Sequence, residues 1–546
     1  MHRDGASGAG MGRSKSADAQ EKSSFHVVVL GASGGPREDI VTGLLVRSTA
    51  TNWARGSVIA VDGGTLLGGI IRALESSNSV KVEDSRDVKL RMTDGPFAGL
   101  GLPNVTAAAN AGYIFREIIS SIFITHPHLD HVAGLAMNTP LVEAQSNPKV
   151  VAALPSAIAA IKNHIFNDIT WPNLSDEDGG AGLVTYQRLA DGGNPRLGRG
   201  EGRGYVKACD GILTKCMSVS HGSCSQRYHP ETGKHHRAES TVFMTDPTFL
   251  SSRRVSIDTQ DLGRAHTPSH RAPSGSNGEG TTLATVESSA FFLRDDHSGV
   301  EIIVFGDIEP DSLSLEPRNE KVWDMAAPKI ANGVLRAIFV ECSFPDSVDD
   351  HYLYGHLCPR HLIAELEVLA GKVLDAMKPS SSRLASRKRK RLGSPVFDEP
   401  MSPKSAPPQP TSRSSQTSPK RRGRNSGPGS GQLAPPSTEG RRPSDIHMSP
   451  PSPLAHMECV DAMDNDDGRH DTPETRSPGE SAKKNRSSSA QQPLLGLKVY
   501  IIHVKDLLAD GAHPREQILE ELREQERDAE LGCEFFAPMS GEEVYV

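Results

Sequence analysis

Five short apolar stretches of this chain each run straight into an acidic residue or a histidine, and that recurrence constrains the fold most. "SVIAVDGG" ends in Asp62, "SSIFI" feeds His126, and "LTKCMSVSHGSC" contains His221. "VEIIVFGDIEPDS" reaches Asp307 and "LGLKVYIIHVKDLL" reaches His503. Runs rich in Val, Ile and Phe, bounded by Gly, Asp and Pro, read as strands. Further strands fit Val27–Leu30, "ESSAFFLRD", "LRAIFVECSFPDS" ending near Glu341, and the tail "CEFFAPMSGEEVYV". After Pro359, by contrast, Leu362, Ile363, Leu366, Leu369, Val373 and Leu374 recur at helical spacing, and a charged helix fits Pro514 to Leu531. Strands alternating with helices predict an α/β sheet, whose chemistry gathers where loops converge at strand ends. One histidine at such a place is more often structural than ligating; five such positions favour a shared site.

The densest of them is "ITHPHLDHVAGL", which places His126, His128, Asp130 and His131 within six residues. A tight loop after a strand points alternate residues the same way, so His126 and His128 are expected to share one metal ion. Asp130 and His131 then turn toward a second. Imidazole and carboxylate suit zinc at a catalytic site that keeps one position open for water. The bland alternative is a solvated histidine-rich turn in a chain of 21 His.

Only 36% of the 546 residues are hydrophobic and 5% aromatic, too lean for a compact core throughout. Disorder is expected over residues 1–23, in an insertion at about 225–280, and in a long Ser/Pro/basic insertion over 379–490. The catalytic domain then comprises residues 24–378 and 491–546. Residues 176–204, rich in glycine and charge, read as a surface loop. Seven scattered cysteines (Cys209, Cys216, Cys224, Cys342, Cys358, Cys459 and Cys533) without CxxC read as free thiols in a reducing compartment. No secretory leader and no run of about 18 apolar residues is visible, so a cytoplasmic protein without membrane contact is expected. "RKRKR" (387–391) and "KRRGR" (420–424) add nuclear import, or merely solvated charge. "VVVLGASGG", Val27 to Gly35, lacks the full GxGxxG of a dinucleotide turn. It reads instead as a tight turn at the site's rim, with backbone N–H groups available to an anion.

Together, THxHxDHxxG, the lone His221, the strand-end Asp307 and the final His503 resemble the metallo-β-lactamase superfamily. "HPHLDHVAGLAMNTP", "LGASGGPRED", "VSHG", "SSAFFLRD", "VFGDIEPDS", "ECSFPDS", "YGHLCPRHL" and "IIHVK" narrow the likeness to class II cyclic-nucleotide phosphodiesterases of the fungal and bacterial type. It covers roughly 24–378 and 494–546. The family signature carries a bulkier residue where Ala136 stands, Ser in place of Thr139 and Thr in place of Cys358. The resemblance implies an αβ/βα sandwich of two mixed sheets and two divalent metal ions, zinc, with cyclic nucleotide as substrate. It further implies that His126, His128 and His221 hold one ion, that Asp130, His131 and His503 hold the other, and that Asp307 bridges them. A zinc-bound hydroxide would open the 3′,5′-cyclic phosphate of cAMP, and of cGMP, to a 5′-nucleotide, with Asp130 at the catalytic centre. Similarity to tRNA-processing enzymes of this fold makes His356 the candidate acid for the leaving oxygen; capping the helix after Pro359 is its plainer role. Asp62 is expected to orient a ligand histidine. Related enzymes suggest a homodimer.

The rival readings are a tRNA 3′-processing endonuclease or another hydrolase of the same fold, and a non-enzymatic regulator. Those endonucleases usually carry Gly where Leu129 stands. The chain's net charge is −8; residues 379–490 hold 19 Lys and Arg against 12 Asp and Glu, leaving 41 against 56, or −15, elsewhere. An acidic body disfavours nucleic acid as a partner. A regulator would be expected to have lost a ligand, and all seven candidates are present. Finally, "SRRVSID" and "GRRPSD" set two arginines before Ser256 and Ser444, resembling sites of cAMP-dependent protein kinase.

Overall fold

Along each principal strand, alternate side chains enter different cores, and this period of two divides the molecule into layers. The computed structural model describes residues 23–83, 86–142, 147–237, 283–378 and 492–546. Ser256, Ser444, both basic runs, Cys459 and the expected insertion over 379–490 lie outside these. The strands are β1 (Phe25–Gly31), β2 (Gly43–Ser48), β3 (Val58–Val61), β4 (Ser79–Lys81), β5 (Leu90–Met92), β6 (Gly101–Leu102), β7 (Ile119–Phe123), β8 (Lys149–Ala153) and β9 (Val184–Arg188). They continue with β10 (Val206–Cys209), β11 (Ile212–Cys224), β12 (Gln226–His229), β13 (Lys234–Arg237), β14 (Ala284–Asp295) and β15 (Glu301–Phe305). The last are β16 (Leu335–Glu341), β17 (Lys498–Ile502), β18 (Glu534–Phe536) and β19 (Glu543–Tyr545).

Two seven-stranded sheets result, ordered β19-β1-β2-β3-β7-β8-β9 and β10-β11-β14-β15-β16-β17-β18. Each is mixed in the same way. The first four strands of each order pair antiparallel, and the links from the fourth strand onward are parallel. Val27, Val29, Leu44, Val46 and Ile59 of the first sheet meet Phe291, Leu293, Ile302, Phe339 and Tyr500 of the second in one core between the sheets. The alternate residues, Val28, Leu45 and Ala60, face a second core with helices Leu67–Glu75, Ala107–Tyr113, Leu129–Asn138 and Pro155–Ala160. On the far side, Phe292, Ile303, Ile338 and Val499 pack with helices Asn319–Ala331, Pro359–Met377 and Pro514–Ala529. Helix, sheet, sheet, helix is the expected αβ/βα sandwich, closed when the C-terminal β19 pairs with β1.

Three expectations change. The region from Asp176 to Gly204 is not wholly loop: β9 adds to the sheet edge parallel to β8. The insertion expected at about 225–280 begins with an ordered hairpin, β12–β13, whose polar, His-rich residues hide it from a hydrophobicity count. The N–H groups of the glycine turn are not free for an anion. Ala32 donates to Ser540, Ser33 to Ile40, Gly34 to Val504 and Gly35 to the Ser33 hydroxyl. The six cysteines among the described residues are free thiols, as expected. No helix among these residues is long and apolar enough to cross a membrane.

Candidate metal centre

Most of the expected site residues sit at or near a strand's C-terminal end, on one rim shared by both sheets, while Asp130 and His131 lie on a helix and His356 in a loop. Asp62 follows β3, His126 and His128 follow β7, and Asp307 and His503 follow β15 and β17. His221 is inside β11, but the register slips between Ser220 and Ser223, and this bulge frees it from the ladder. Asp62 and His503 adopt left-handed backbone, with φ of 59° and 58°. That conformation is uncommon for residues with a Cβ, and here it turns both side chains out of their strands at the centre of the rim. His128 immediately precedes helix Leu129–Asn138, and Asp130 occupies its first turn, where a carboxylate suits the helix dipole.

Asp307 is the hub. Its Oδ2 lies 3.6 Å from His126 Nε2, 3.7 Å from His221 Nε2 and 3.2 Å from His503 Nε2, while Oδ1 is 3.3 Å from His131 Nε2. Asp130 Oδ2 is 3.7 Å from His503 Nε2 and 3.9 Å from His131 Nε2. The side chains form two groups of metal-ligand geometry that share Asp307: His126, His128 and His221, and then Asp130, His131 and His503. A third overlapping group joins His221, Asp307, Glu341 and His356. His126 Nε2, His131 Nε2, His503 Nε2 and Asp307 Oδ1 are buried without a hydrogen-bond partner. Each such atom costs about 1–3 kcal/mol when left unsatisfied. Four converging on one point fit a cation.

The opposite ring nitrogens are held. His131 Nδ1 meets Asp62 Oδ2 at 2.8 Å, His503 Nδ1 meets the Thr42 hydroxyl at 2.6 Å, and His221 Nδ1 meets the Gly355 carbonyl at 2.8 Å. His126 Nδ1 is 3.2 Å from the Thr125 hydroxyl. Such partners fix the tautomer that leaves Nε2 free for a metal. Asp62 thus holds the His131 ring, and its carboxylate also receives the Thr125 N–H and hydroxyl.

Electrostatics separate the histidines. Burial holds His126 well below the usual histidine range, pulls His221 down to about 4 and lowers His128. These rings are neutral, the form that binds metal. Burial also opposes charge on His131, but Asp307 and Asp62 outweigh it and raise that ring well above its ordinary value. Asp307 stays ionised far below the usual carboxylate range because His503, His131 and His126 overcome its burial.

His356 is buried beside this cluster and does not cap the helix that begins at Pro359, where Cys358 holds the cap position. Its Nδ1 is 2.9 Å and 3.0 Å from the two Glu341 oxygens and 3.8 Å from Asp307 Oδ2. Burial pushes Glu341 up to about 7 and His356 down to about 4. The Ser343 hydroxyl lies 2.5 Å from Glu341 and 2.8 Å from the His503 carbonyl, tying the pair to the end of β17. The role of Glu341 was missed in the sequence, although it ends β16 as the other site residues end theirs. Thr42 carried no signal. The glycine turn does pack at the rim, as expected: a Cβ on Gly34 would lie 2.6 Å from His503 Nε2. Beside His128, between helix Pro155–Ala160 and β12–β13, opens a cleft of about 690 Å³.

The family of class-II cAMP phosphodiesterases matches residues 46–191, 238–385 and 481–541. The chain is 26% identical over 352 residues to the 3′,5′-cyclic-nucleotide phosphodiesterase of Schizosaccharomyces pombe, covering 64% of this chain and 77% of that protein. It is 27% identical over 375 residues to 3′,5′-cyclic-nucleotide phosphodiesterase 1 of Saccharomyces cerevisiae, covering 63% and 82%. The crystal structure of unliganded yeast PDE1 aligns with a TM-score of 0.53 at 20% identity, over 96% of this chain and all (100%) of that one, and supports the fold.

Proposed function

The chain belongs to the class-II cAMP phosphodiesterase family, and on that premise we propose that it hydrolyses 3′,5′-cyclic AMP, and cyclic GMP, to the 5′-nucleotide at this rim. The observation that carries the reading is the convergence of His126, His128, Asp130, His131, His221 and His503 on Asp307, with four buried polar atoms otherwise unsatisfied. In this reading His126, His128 and His221 hold one divalent ion, Asp130, His131 and His503 the second, and Asp307 both, with zinc favoured by the donor set. Two such ions, when bound, lower the pKa of water toward neutrality and offset charge on phosphoryl oxygens. The chain's own part is to aim the rings, which the partners on Nδ1 do for His126, His131, His221 and His503, while burial keeps His126, His128 and His221 neutral. Asp130, at 26%, is the most exposed of the carboxylates around the cluster and the one most open to solvent. The neutral His356 gives its Nε2 proton to the departing 3′ oxygen while Nδ1 takes one from Glu341, whose carboxyl burial raises to about 7 so that it can carry that proton.

Purified protein is assayed with cAMP, cGMP, a 2′,3′-cyclic nucleotide and precursor tRNA, and its metal content is measured on the same sample. The expected result is turnover of the 3′,5′-cyclic nucleotides with two metal ions per chain. Cleavage of tRNA without cyclic-nucleotide turnover, or turnover by metal-free protein, refutes the reading.

A further inference from the structure

The hairpin β12–β13 lies beside the metal cluster yet outside the residues that match the family, which skip 192–237. We propose that this hairpin is the nucleobase platform of the site, with Tyr228 and His235 as its recognition residues. The inference rests on the reading above, since it takes the reacting phosphate to sit at His128.

The cleft that begins at His128 is bounded on one side by Ser156 and Ala157 and on another by the hairpin. Its volume of about 690 Å³ falls within the range of small-molecule sites, roughly 300–1,000 Å³. Tyr228 and His235 are directly opposed across the hairpin register, and residues so paired project from the same face. Their ring centroids are 5.3 Å apart, and both line the cleft. His235 Nδ1 is buried and has no hydrogen-bond partner. An aromatic face next to an unsatisfied ring nitrogen suits a flat heterocycle that offers both a π-surface and a polar edge. Burial lowers the pKa of His235, so its ring is neutral and can accept from an amino group or donate to a ring nitrogen or carbonyl.

One of the two arginines that line the cleft is already paired. Arg318 is paired with Glu287 at 3.0 Å and with Glu316 at 2.8 Å, and Glu287 also accepts from Ser156. Its guanidinium is therefore already neutralised. Beside Arg227, which also lines the cleft, a ligand meets an aromatic surface with a buried, unsatisfied ring nitrogen, which suits the flat, polar-edged ring of a purine. The hairpin is also anchored: Asn163, just past helix Pro155–Ala160, donates to the Gly233 carbonyl at its turn at 3.4 Å.

The test compares cAMP with the 3′,5′-cyclic phosphate of methyl riboside, which keeps the reacting group and lacks the base. Full-length wild type, Tyr228→Ala, His235→Ala and His235→Asn are assayed on both substrates, with metal stoichiometry as the check on fold. Base stacking of the usual strength predicts that Tyr228→Ala raises KM for cAMP by about tenfold or more. In both alanine variants kcat/KM for the riboside is expected to stay at the wild-type value. Asn places an amide nitrogen or oxygen near the Nδ1 position and is expected to recover part of the His235→Ala loss. An unchanged KM for cAMP in both alanine variants, or equal losses on both substrates, overturns the platform. Wild type that cleaves the riboside and ignores cAMP overturns instead the functional reading beneath it.

Discussion

The two halves of the metal cluster share Asp307 but are braced differently. On one side, His131 leans on the buried Asp62 carboxylate and His503 on the Thr42 hydroxyl, while Asp130 adds a second negative charge. On the other, His221 leans on the Gly355 carbonyl, His126 on the Thr125 hydroxyl, and His128 stands exposed at the cleft. Partners of this kind tune both ligand basicity and ligand orientation. In the proposed assignment, the position with two carboxylates and two braced imidazoles is expected to hold its ion more tightly. The position with three neutral imidazoles is then the weaker one, and its His128 lines the cleft.

The largest effects test whether there are two positions at all. Asp307→Ala removes the residue common to both and is expected to lower kcat/KM by roughly three orders of magnitude or more, with loss of both ions. His128→Ala is expected to abolish turnover while metal analysis still finds about one ion per chain, since the carboxylate-rich position is untouched. Near-normal activity with full metal in either variant breaks the two-position arrangement.

Asp62→Asn tests the asymmetry itself. It keeps the shape of the brace and removes its charge, so affinity or activity should fall by about 10- to 100-fold. Competition with a chelator should show that the tighter of the two ions has become the weaker. If the weaker ion alone is lost, the assignment of strong and weak positions is reversed. A smaller, local perturbation of the same side is Gly34→Ala. The new Cβ would come within 2.6 Å of His503 Nε2 and 2.9 Å of its carbonyl oxygen, so that ring must shift. We expect a several-fold drop in affinity for one ion, with far-UV circular dichroism unchanged; unchanged binding of both ions would show that the turn yields instead of the histidine.

This asymmetry was only half legible in the sequence. The strands, their ligand-bearing ends and the helix after Pro359 could be read because apolar alternation and helical spacing leave a local trace, as in Val27–Leu30 and Leu362–Leu374. Asp62 could be placed as a brace because it too ends a strand. Glu341 obeyed that rule and was still passed over, for its stretch reads as a strand whose acidic end has no histidine beside it. Thr42 left no trace, and Gly355 stood inside "YGHLCPRHL" with nothing to mark its carbonyl as a partner of His221. They reach the site from loops distant in sequence, 461 residues for Thr42 and His503, and their contribution is a single polar atom. The β12–β13 hairpin was misread for a related reason. A solvent-facing hairpin needs few apolar residues, and "QRYHPETGKHHR" looks like low-complexity chain until its cross-strand register is known. The glycine turn was located correctly at the rim, but hydrogen bonding to Ile40, Val504 and Ser540 could not be foreseen from nine residues.

The finest test concerns the link between the halves. The Thr125 hydroxyl is 2.9 Å and 3.0 Å from the two Asp62 oxygens and 3.2 Å from His126 Nδ1. A hydroxyl has one proton; the ionised carboxylate can only accept, so Thr125 donates to Asp62 and must accept from the His126 N–H. The Asp62 charge thereby reaches His126 on one side through a hydroxyl, and His131 on the other directly. Thr125→Val keeps the branched shape and the backbone N–H bond to Asp62 while cutting this relay. Because the side chain is fully buried, His126 Nδ1 is left without an acceptor, which favours the wrong tautomer and weakens the imidazole-rich position. A loss of one neutral hydrogen bond is worth about 1 kcal/mol, or roughly fivefold in affinity, well below the effect of Asp62→Asn. Metal titration should show the weaker ion loosened and the tighter one nearly unchanged. Equal weakening of both would mean that Thr125 acts by holding Asp62 in place, and that the halves are braced as one unit.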